Sequence, residues 1–309
     1  MKALRCFFAL MCAALTAVWP IASYASMAAT GRVVCDEAGR RVLVPDTPRR
    51  IIALAPSITE MIYSLGREDR LVGVAQQSDY PAAAKSLPTV GTFVRPDIEK
   101  IVALRPDLCI ATTEGNPPYA ISRIQSLGIP VYVTRPVDLN GIMRSLLDIG
   151  DLLGVKRKAK AVVGCMQARI DHVKDLVAMA RSRPRVFFEL GFAPLVSAGK
   201  NSFDGQLITY AGGVDISRGP EPYPRISMEQ VLAGKPDVII IASMAKRGNP
   251  EQVKSEWDRW TSLPAVRDRR VYVVDPNLFD QPSVRLVDAL ELLARLIHPE
   301  LFEKPHSRT

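Results

Sequence analysis

The side chains best suited to binding a ligand are aromatic and polar residues that follow predicted buried strands. Strands alternate with helices along most of the chain, and an open parallel sheet binds its ligands beyond the carboxyl ends of its strands. Flat rings that face each other across a cleft suit a large, flat and partly apolar ligand. The candidate ligand-binding residues are Ser57, Tyr80, Phe93, Thr112 and Asn116 in the first half of the chain, and Phe192, Tyr223 and Phe279 in the second.

Motifs for catalysis and metal capture are missing from the sequence. It has no G-x-S-x-G, no Walker loop, no G-x-G-x-x-G after a strand and no H-E-x-x-H. The histidines are His172, His298 and His306, far from any predicted strand end, whereas zinc or manganese sites need clustered ligands. We therefore predict a binding protein that is not an enzyme and that has neither a cofactor nor a metal site.

One stretch of the sequence occurs twice. Residues 98–112 align without a gap with residues 228–242, so that Glu99 matches Glu229 and Asp107 matches Asp237. Each copy begins with apolar residues at helical spacing, ends that helix at a basic residue followed by Pro-Asp, and continues as an apolar strand. Two copies of one helix–strand unit indicate two lobes of similar design.

The lobes are separated by a region without strand signals. Apolar residues recur at helical spacing over 156–181, which predicts one long helix between an N-terminal α/β lobe at 31–150 and a C-terminal α/β lobe at 184–300. Such a helix acts as a stiff strut, in contrast to a linker rich in glycine and serine. Within the first lobe, Ser57 and Glu60 have the spacing of a helix capping box.

The first 25 residues have the pattern of a signal peptide. A basic start is followed by an apolar run too short to span a bilayer and by small residues that place a cleavage site after Ala25, so we expect export to the periplasm. The formal charge of +8 is dispersed, without the motifs that bind nucleic acid. Cys35, Cys109 and Cys165 remain after cleavage and form no recognisable disulfide framework.

Several stretches, in order and spread over most of the exported chain, resemble the periplasmic substrate-binding proteins of iron-siderophore, haem and vitamin B12 importers. They are R-I-I-A-L-A-P-S-I-T-E at 50–60, S-D-Y-P at 78–81, D-I-E-K-I-V-A-L-R-P-D at 97–107, L-G-I-P at 127–130, S-A-G-K at 197–200 and S-M-E-Q-V-L at 227–232. The resemblance implies two Rossmann-like lobes with mostly parallel sheets joined by one long helix, and little closure on binding. It also implies a monomer that delivers its ligand to the permease dimer of an ABC importer driven by an ATPase.

The vitamin B12-binding members of that family are the most similar. Tyr80, Phe93 and Tyr223 match positions that carry aromatic rings around the corrin, whereas Thr112 stands where those members have tryptophan. The resemblance therefore favours cobalamin or a related corrinoid as the ligand.

Two further departures bear on the ligand. Asn277 and Gln281 replace an acid and a base of the B12-binding members, and Thr92 replaces a tyrosine that haem-binding members often carry. These substitutions leave a ferric siderophore as the alternative ligand and make haem a weaker candidate.

The matched glutamates of the repeat have two interpretations. Each falls in the first turn of its helix, where a carboxylate interacts favourably with the helix dipole, by about 0.3–1 kcal/mol. The resemblance implies instead that Glu99 and Glu229 dock with arginines of the two permease subunits, one lobe to each.

An enzyme that assembles metal clusters or processes tetrapyrroles is the alternative from another functional class, because such enzymes share the two-lobed architecture. It would need cysteine or histidine ligands converging on the cleft. Cys109 lies in the middle of a predicted strand, and export favours capture of a ligand over its synthesis.

Overall fold

The computed structural model describes residues 31–217, 219–242 and 250–302. The predicted signal peptide at 1–25 lies outside these ranges. No helix within them is long and apolar enough to cross a bilayer.

Helices and strands alternate through most of the described chain, as the α/β prediction requires. The strands are β1 Gly31–Cys35, β2 Arg41–Pro45, β3 Ile51–Ala53, β4 Leu71–Val74, β5 Gly91–Thr92, β6 Arg95–Pro96, β7 Leu108–Thr112, β8 Val131–Thr134, β9 Arg185–Phe192, β10 Leu195–Ser197, β11 Val214–Asp215, β12 Val238–Ile241 and β13 Val271–Val273. The α-helices are α1 Pro56–Ser64, α2 Ile98–Ala103, α3 Pro118–Ser126, α4 Leu139–Leu152, α5 Lys156–Ala178, α6 Phe203–Tyr210, α7 Met228–Gly234, α8 Pro250–Ser255, α9 Pro264–Arg267 and α10 Leu286–Ile297.

The N-terminal lobe is built on a four-stranded sheet in the order β4-β3-β7-β8, with all neighbours parallel. Its central strands are buried on both faces, which explains their continuous apolar sequence. The hairpin of β1 and β2 stands apart from this sheet as an antiparallel pair.

The C-terminal lobe repeats this arrangement. Strand β9 pairs in parallel with β11 on one side and with β12 on the other, and β12 pairs in parallel with β13. Strand β10 adds an antiparallel hairpin to β9. Both lobes therefore have the α/β fold class that the sequence predicted.

The repeated sequence folds into the same local structure twice. Asp107 and Asp237 both accept hydrogen bonds from backbone N–H groups where the central strand of their lobe begins, those of Arg49 and Arg50 in one lobe and that of Arg185 in the other. The guanidinium groups of Arg50 and Arg185 donate to the last carbonyls of α2 and α7, respectively. The repeat thus ties the end of a helix to the central strand in each lobe.

The helix predicted over 156–181 is α5, which ends at Ala178. It packs on α4 of the first lobe, where a side chain larger than the hydrogen of Gly150 would meet Ala159 at 2.3 Å. It also reaches α10 of the second lobe, since Arg169 donates to Asp288 and Glu291. Because buried residues of α5 belong to an apolar core that runs through both lobes, the helix acts as part of that core.

After α8 ends at Ser255, turns carry the chain past Trp257 and Trp260. One local prediction was wrong. Ser57 and Glu60 form no capping box, because Ala55 is the N-cap of α1 and has no side chain that could bond the helix.

Glu60 instead connects the two lobes. Its carboxylate, 3 % exposed, accepts from the Nη2 and Nε atoms of Arg285 at 2.7 and 3.0 Å, and from the hydroxyl of Ser283. Arg285 directly precedes α10, so this ion pair joins the first helix of one lobe to the last helix of the other. We call Glu60, Ser283 and Arg285 the inter-lobe brace.

Replacing Glu60 by alanine is expected to destabilise the protein by about 3–5 kcal/mol, because it leaves the guanidinium of Arg285 without its buried partner. Denaturant unfolding followed by tryptophan fluorescence measures the change. Glu68→Ala, at an exposed glutamate of the same lobe, is the control and should shift the midpoint little. Equal midpoints for the two variants would contradict a structural role for the brace.

Candidate functional site

The largest concentration of predicted site residues lies in a cleft between the lobes. The cleft has a volume of about 390 Å³, within the range of about 300–1,000 Å³ that is usual for ligand pockets. Described residues that line it are Ala55, Pro56, Ser57, Phe93, Glu114, Leu190, Val196, Phe203, Asp204, Tyr223, Ala242, Phe279, Asp280, Gln281 and Pro282. Four of the eight predicted residues, Ser57, Phe93, Tyr223 and Phe279, are among them.

The N-terminal wall of the cleft is built around Phe93. The backbone carbonyl of Phe93 accepts a hydrogen bond from Asn116, and its ring packs so closely on Gly115 that a Cβ there would lie 2.5 Å from the ring. Gly115 also has a φ of +116°, which few other residues adopt. The ring is therefore fixed in place before any ligand binds.

Thr112 and Asn116 were predicted to contact ligand, but neither lines the cleft. Asn116 is buried: its Oδ1 accepts from the backbone N–H of Thr112, and its Nδ2 donates to the carbonyls of Leu54 and Phe93 at 2.8 and 2.7 Å. The hydroxyl of Thr112 accepts from the backbone N–H of Glu114. Both side chains satisfy the backbone of the loop after β7, which a polar residue at a strand end does as readily as it binds ligand.

The C-terminal wall carries three rings. Tyr223 lies on the loop before α7, and Phe203 is the first residue of α6. Phe279 is almost fully buried and packs edge-on against Phe188 of β9, with ring centroids 5.3 Å apart. Phe279 therefore forms the floor of the cleft and belongs to the core of the lobe.

Tyr80 and Phe192, also predicted to bind ligand, lie outside the cleft lining. Tyr80 borders a second cavity between α1, α5 and α10, where the guanidinium of Arg285 lies 4.1 Å from its ring centroid. It thereby covers the inter-lobe brace. Phe192 is 41 % exposed at the end of β9.

Sequence reasoning missed the acidic residues of the cleft. Burial raises the pKa of Asp204 to about 8, and the nearby Asp280 adds to the rise. Burial likewise raises the pKa of Asp280 to about 6, with a contribution from Asp275. Burial also raises the pKa of Tyr223, and the carboxyl groups of Asp204, Glu114 and Asp280 raise this pKa further.

No sequence signal would have singled out Asp204. An aspartate in the first turn of a helix is common, because it interacts favourably with the helix dipole. Here Ser202 already caps α6 by accepting from the backbone N–H of Gly205, which leaves the aspartate available to the cleft.

Glu99 and Glu229 occupy equivalent places away from the cleft. Both are exposed, and each is the second residue of its helix, after the caps Asp97 and Ser227. A hydrogen bond with Ser227 lowers the pKa of Glu229. The structure therefore presents two matched carboxylates, one on each lobe.

Cysteine and histidine do not gather in the described part of the chain. Cys35, Cys109 and Cys165 are free there, and burial raises the pKa of the Cys109 thiol to about 12. Among the described residues, no group of three or more His, Cys, Asp and Glu side chains could hold a metal ion.

Comparison with known proteins supports the resemblance on which the sequence analysis relied. The periplasmic binding protein family matches residues 51–278. The chain belongs to this family. The vitamin B12-binding protein of Vibrio vulnificus is 30 % identical over 250 residues, which cover 78 % of this chain and 87 % of that protein. That of Vibrio campbellii is 29 % identical over 244 residues, covering 78 % and 86 %.

Solved structures of the family share this fold. The periplasmic vitamin B12-binding protein of Vibrio cholerae gives a TM-score of 0.71 at 28 % identity, covering 84 % of this chain and all of that one. A periplasmic haem-binding protein from Pseudomonas aeruginosa gives 0.74 at 29 % identity, covering 82 % and 93 %. The two-lobed α/β architecture is thus that of the family, and the two relatives differ in the ligand that they bind.

Asn116→Ala should destabilise the loop after β7, because the backbone groups of Leu54, Phe93 and Thr112 would lose their hydrogen-bond partner. The expected cost in unfolding free energy is about 1–3 kcal/mol. Denaturant unfolding measures this cost, with Asn140→Ala on α4 as a control at an exposed asparagine. A stability like that of the control would restore Asn116 as a candidate ligand contact.

Proposed function

We propose that this protein captures cobalamin or a related corrinoid between its lobes in the periplasm and delivers it to the permease of an ABC importer. The proposal assigns it binding and release without a chemical step. The described cleft contains rings and acids, and no set of metal-ligating or nucleophilic groups points to catalysis.

The shape and apolar character of the cleft suit a macrocycle. Phe93 from one lobe and Tyr223 from the other border the same space, with Phe203 and Phe279 on the C-terminal side. Aromatic side chains can cover the apolar surface of a flat ring system from two sides, and each such contact adds to the area removed from water.

The charge of the cleft is the observation that favours a corrinoid over haem. Its described lining includes Glu114, Asp204 and Asp280, and no lysine or arginine. Residues 243–249, which follow β12 and contain Lys246 and Arg247, lie outside this description. Haem carries two propionates, and Glu114 and Asp280 would repel them. A corrinoid carries neutral carboxamides, whose N–H groups can donate to carboxyl oxygens.

A ferric siderophore is the alternative ligand that the sequence left open. Haem is also a candidate, because the solved haem-binding relative is as similar as the vitamin B12-binding one. Among siderophore complexes, a cationic hydroxamate would suit these acids better than an anionic catecholate.

Isothermal titration calorimetry of the mature protein with cyanocobalamin, haemin and ferrioxamine B, each in turn, separates these ligands. We expect a saturable one-to-one heat with cyanocobalamin and weaker binding or none with the other two. Tighter binding of haemin or ferrioxamine B than of cyanocobalamin would overturn the proposal.

Removing a ring from the cleft should weaken binding of cyanocobalamin. Phe93→Ala and Tyr223→Ala are each expected to cost about 1–3 kcal/mol, or roughly 5- to 150-fold in Kd, for loss of a buried aromatic contact. Tyr119→Ala, at an exposed tyrosine on α3 that is not part of the cleft lining, is the matched control. Unchanged affinity in both cleft variants would exclude this cleft as the binding site.

We also propose that Glu99 and Glu229 dock with the permease, one carboxylate to each of its two subunits. Their matched exposed positions in the two lobes support this role, as does the strength of bidentate arginine–carboxylate pairs. The Glu99→Ala, Glu229→Ala double variant should bind cyanocobalamin with unchanged affinity but support little uptake into cells.

Uptake of radiolabelled cyanocobalamin in cells that express each variant tests this docking role. Single variants should be impaired less than the double variant, and Glu68→Ala should transport normally. Uptake by the double variant at the wild-type rate would leave both glutamates with a role in helix stability alone.

A further inference from the structure

Asp204 has an oxygen that no group in the described part of the chain satisfies. The residue is 3 % exposed, and its Oδ1 atom is buried without a hydrogen-bond partner. A buried polar atom without a partner is costly to the folded state, so such atoms in native proteins usually serve a purpose. Asp204 lines the cleft, and a bound ligand is the partner that could satisfy this oxygen.

Within the described ranges, the lining of the cleft offers Asp204 no lysine or arginine. The other ionisable side chains of the described cleft lining are the carboxyl groups of Asp280 and Glu114 and the hydroxyl of Tyr223. None of these groups carries a positive charge. Three charged side chains on the elements packed against α6 have other partners: Arg169 pairs with Asp288 and Glu291, Lys174 lies over Tyr210, and Asp215 accepts from Ser217. The unpaired oxygen therefore belongs to a residue of the cleft lining, where a ligand group could supply its partner.

The protonation state of Asp204 limits the kinds of ligand group that could form a hydrogen bond with it. Because burial raises the pKa of its carboxyl to about 8, the side chain is mostly neutral at pH 7 and can both accept at Oδ1 and donate a proton. A primary carboxamide offers the complementary N–H donor and carbonyl acceptor. An ammonium group would instead call for a charged carboxylate.

We propose that Asp204 recognises a peripheral primary carboxamide of the bound ligand, whose N–H group donates to Oδ1. This inference rests on the proposed function, since corrinoids carry several such carboxamides around the ring. It makes Asp204 a specificity-determining residue, which favours amide side chains over esters or carboxylates of the same macrocycle.

Two probes and two variants test the proposal. Dicyanocobinamide carries primary carboxamides, whereas dicyanocobyrinic acid heptamethyl ester has the same corrin with methyl esters that lack N–H groups. Titration calorimetry of wild type, Asp204→Ala and Asp204→Asn with both probes gives the amide preference of each protein. Asparagine keeps an accepting Oδ1 and a donor at nearly unchanged shape, so it should act as the conservative replacement.

We expect the wild type to prefer dicyanocobinamide over the ester by about 10-fold or more, the scale of one buried hydrogen bond. Asp204→Ala should lose this preference while binding the ester as the wild type does, and Asp204→Asn should keep it. If the alanine variant fails to fold, titration of the asparagine variant with the two probes still tests the role of Asp204 in the amide preference.

The outcomes separate this inference from the proposed function. Equal preference in wild type and Asp204→Ala would overturn the assignment of Asp204 while leaving corrinoid capture intact. Loss of preference in Asp204→Asn would also overturn it, because it would mean that the site needs a charge. Failure of the wild type to bind either probe would remove both the inference and the function.

Discussion

The buried ion pair between Glu60 and Arg285 is the constraint on which the relation of the lobes depends. Removing two charges from water is costly unless they meet each other and further hydrogen-bond partners, and here Ser283 supplies one. Since Glu60 belongs to α1 and Arg285 precedes α10, the pair fixes the two ends of the chain's fold against each other. The ring of Tyr80 covers one face of the guanidinium. The helix α5 and an apolar core that runs through both lobes support the same geometry.

Because the ion pair and the shared core hold the lobes together, the cleft between them is formed before a ligand binds. Phe93 is fixed by Asn116 and Gly115, and Phe279 by Phe188, so these rings lose little freedom on binding. The unpaired oxygen of Asp204 is costly to bury, and a neutral hydrogen-bond donor on a ligand would offset that cost. In the proposed function, Glu114 and Asp280 select against anionic macrocycles, and the fixed rings favour a flat and partly apolar one.

The sequence predicted those parts of the fold that depend on local pattern. The repeat at 98–112 and 228–242 implied two similar lobes, because each copy predicts a short helix that ends at Pro-Asp and is followed by a buried strand. Strand β11 went unrecognised because two residues carry no periodicity, and β10 because its residues follow a turn. Polar residues at strand ends were ambiguous for a physical reason: Ser57 borders the cleft, whereas Asn116 satisfies backbone groups of its own loop. Glu60, Arg285 and Asp204 matter through contacts between distant segments, which no local pattern encodes.

A crystal structure of the mature protein grown with cyanocobalamin would show whether a preformed cleft between two braced lobes receives a corrinoid. We expect the corrin ring between Phe93 and Tyr223, with a carboxamide at Oδ1 of Asp204. We also expect an intact pair between Glu60 and Arg285, and lobes oriented as they are here. Cyanocobalamin bound elsewhere on the protein, or a cleft reached only by breaking that ion pair and rotating the lobes, would contradict these expectations.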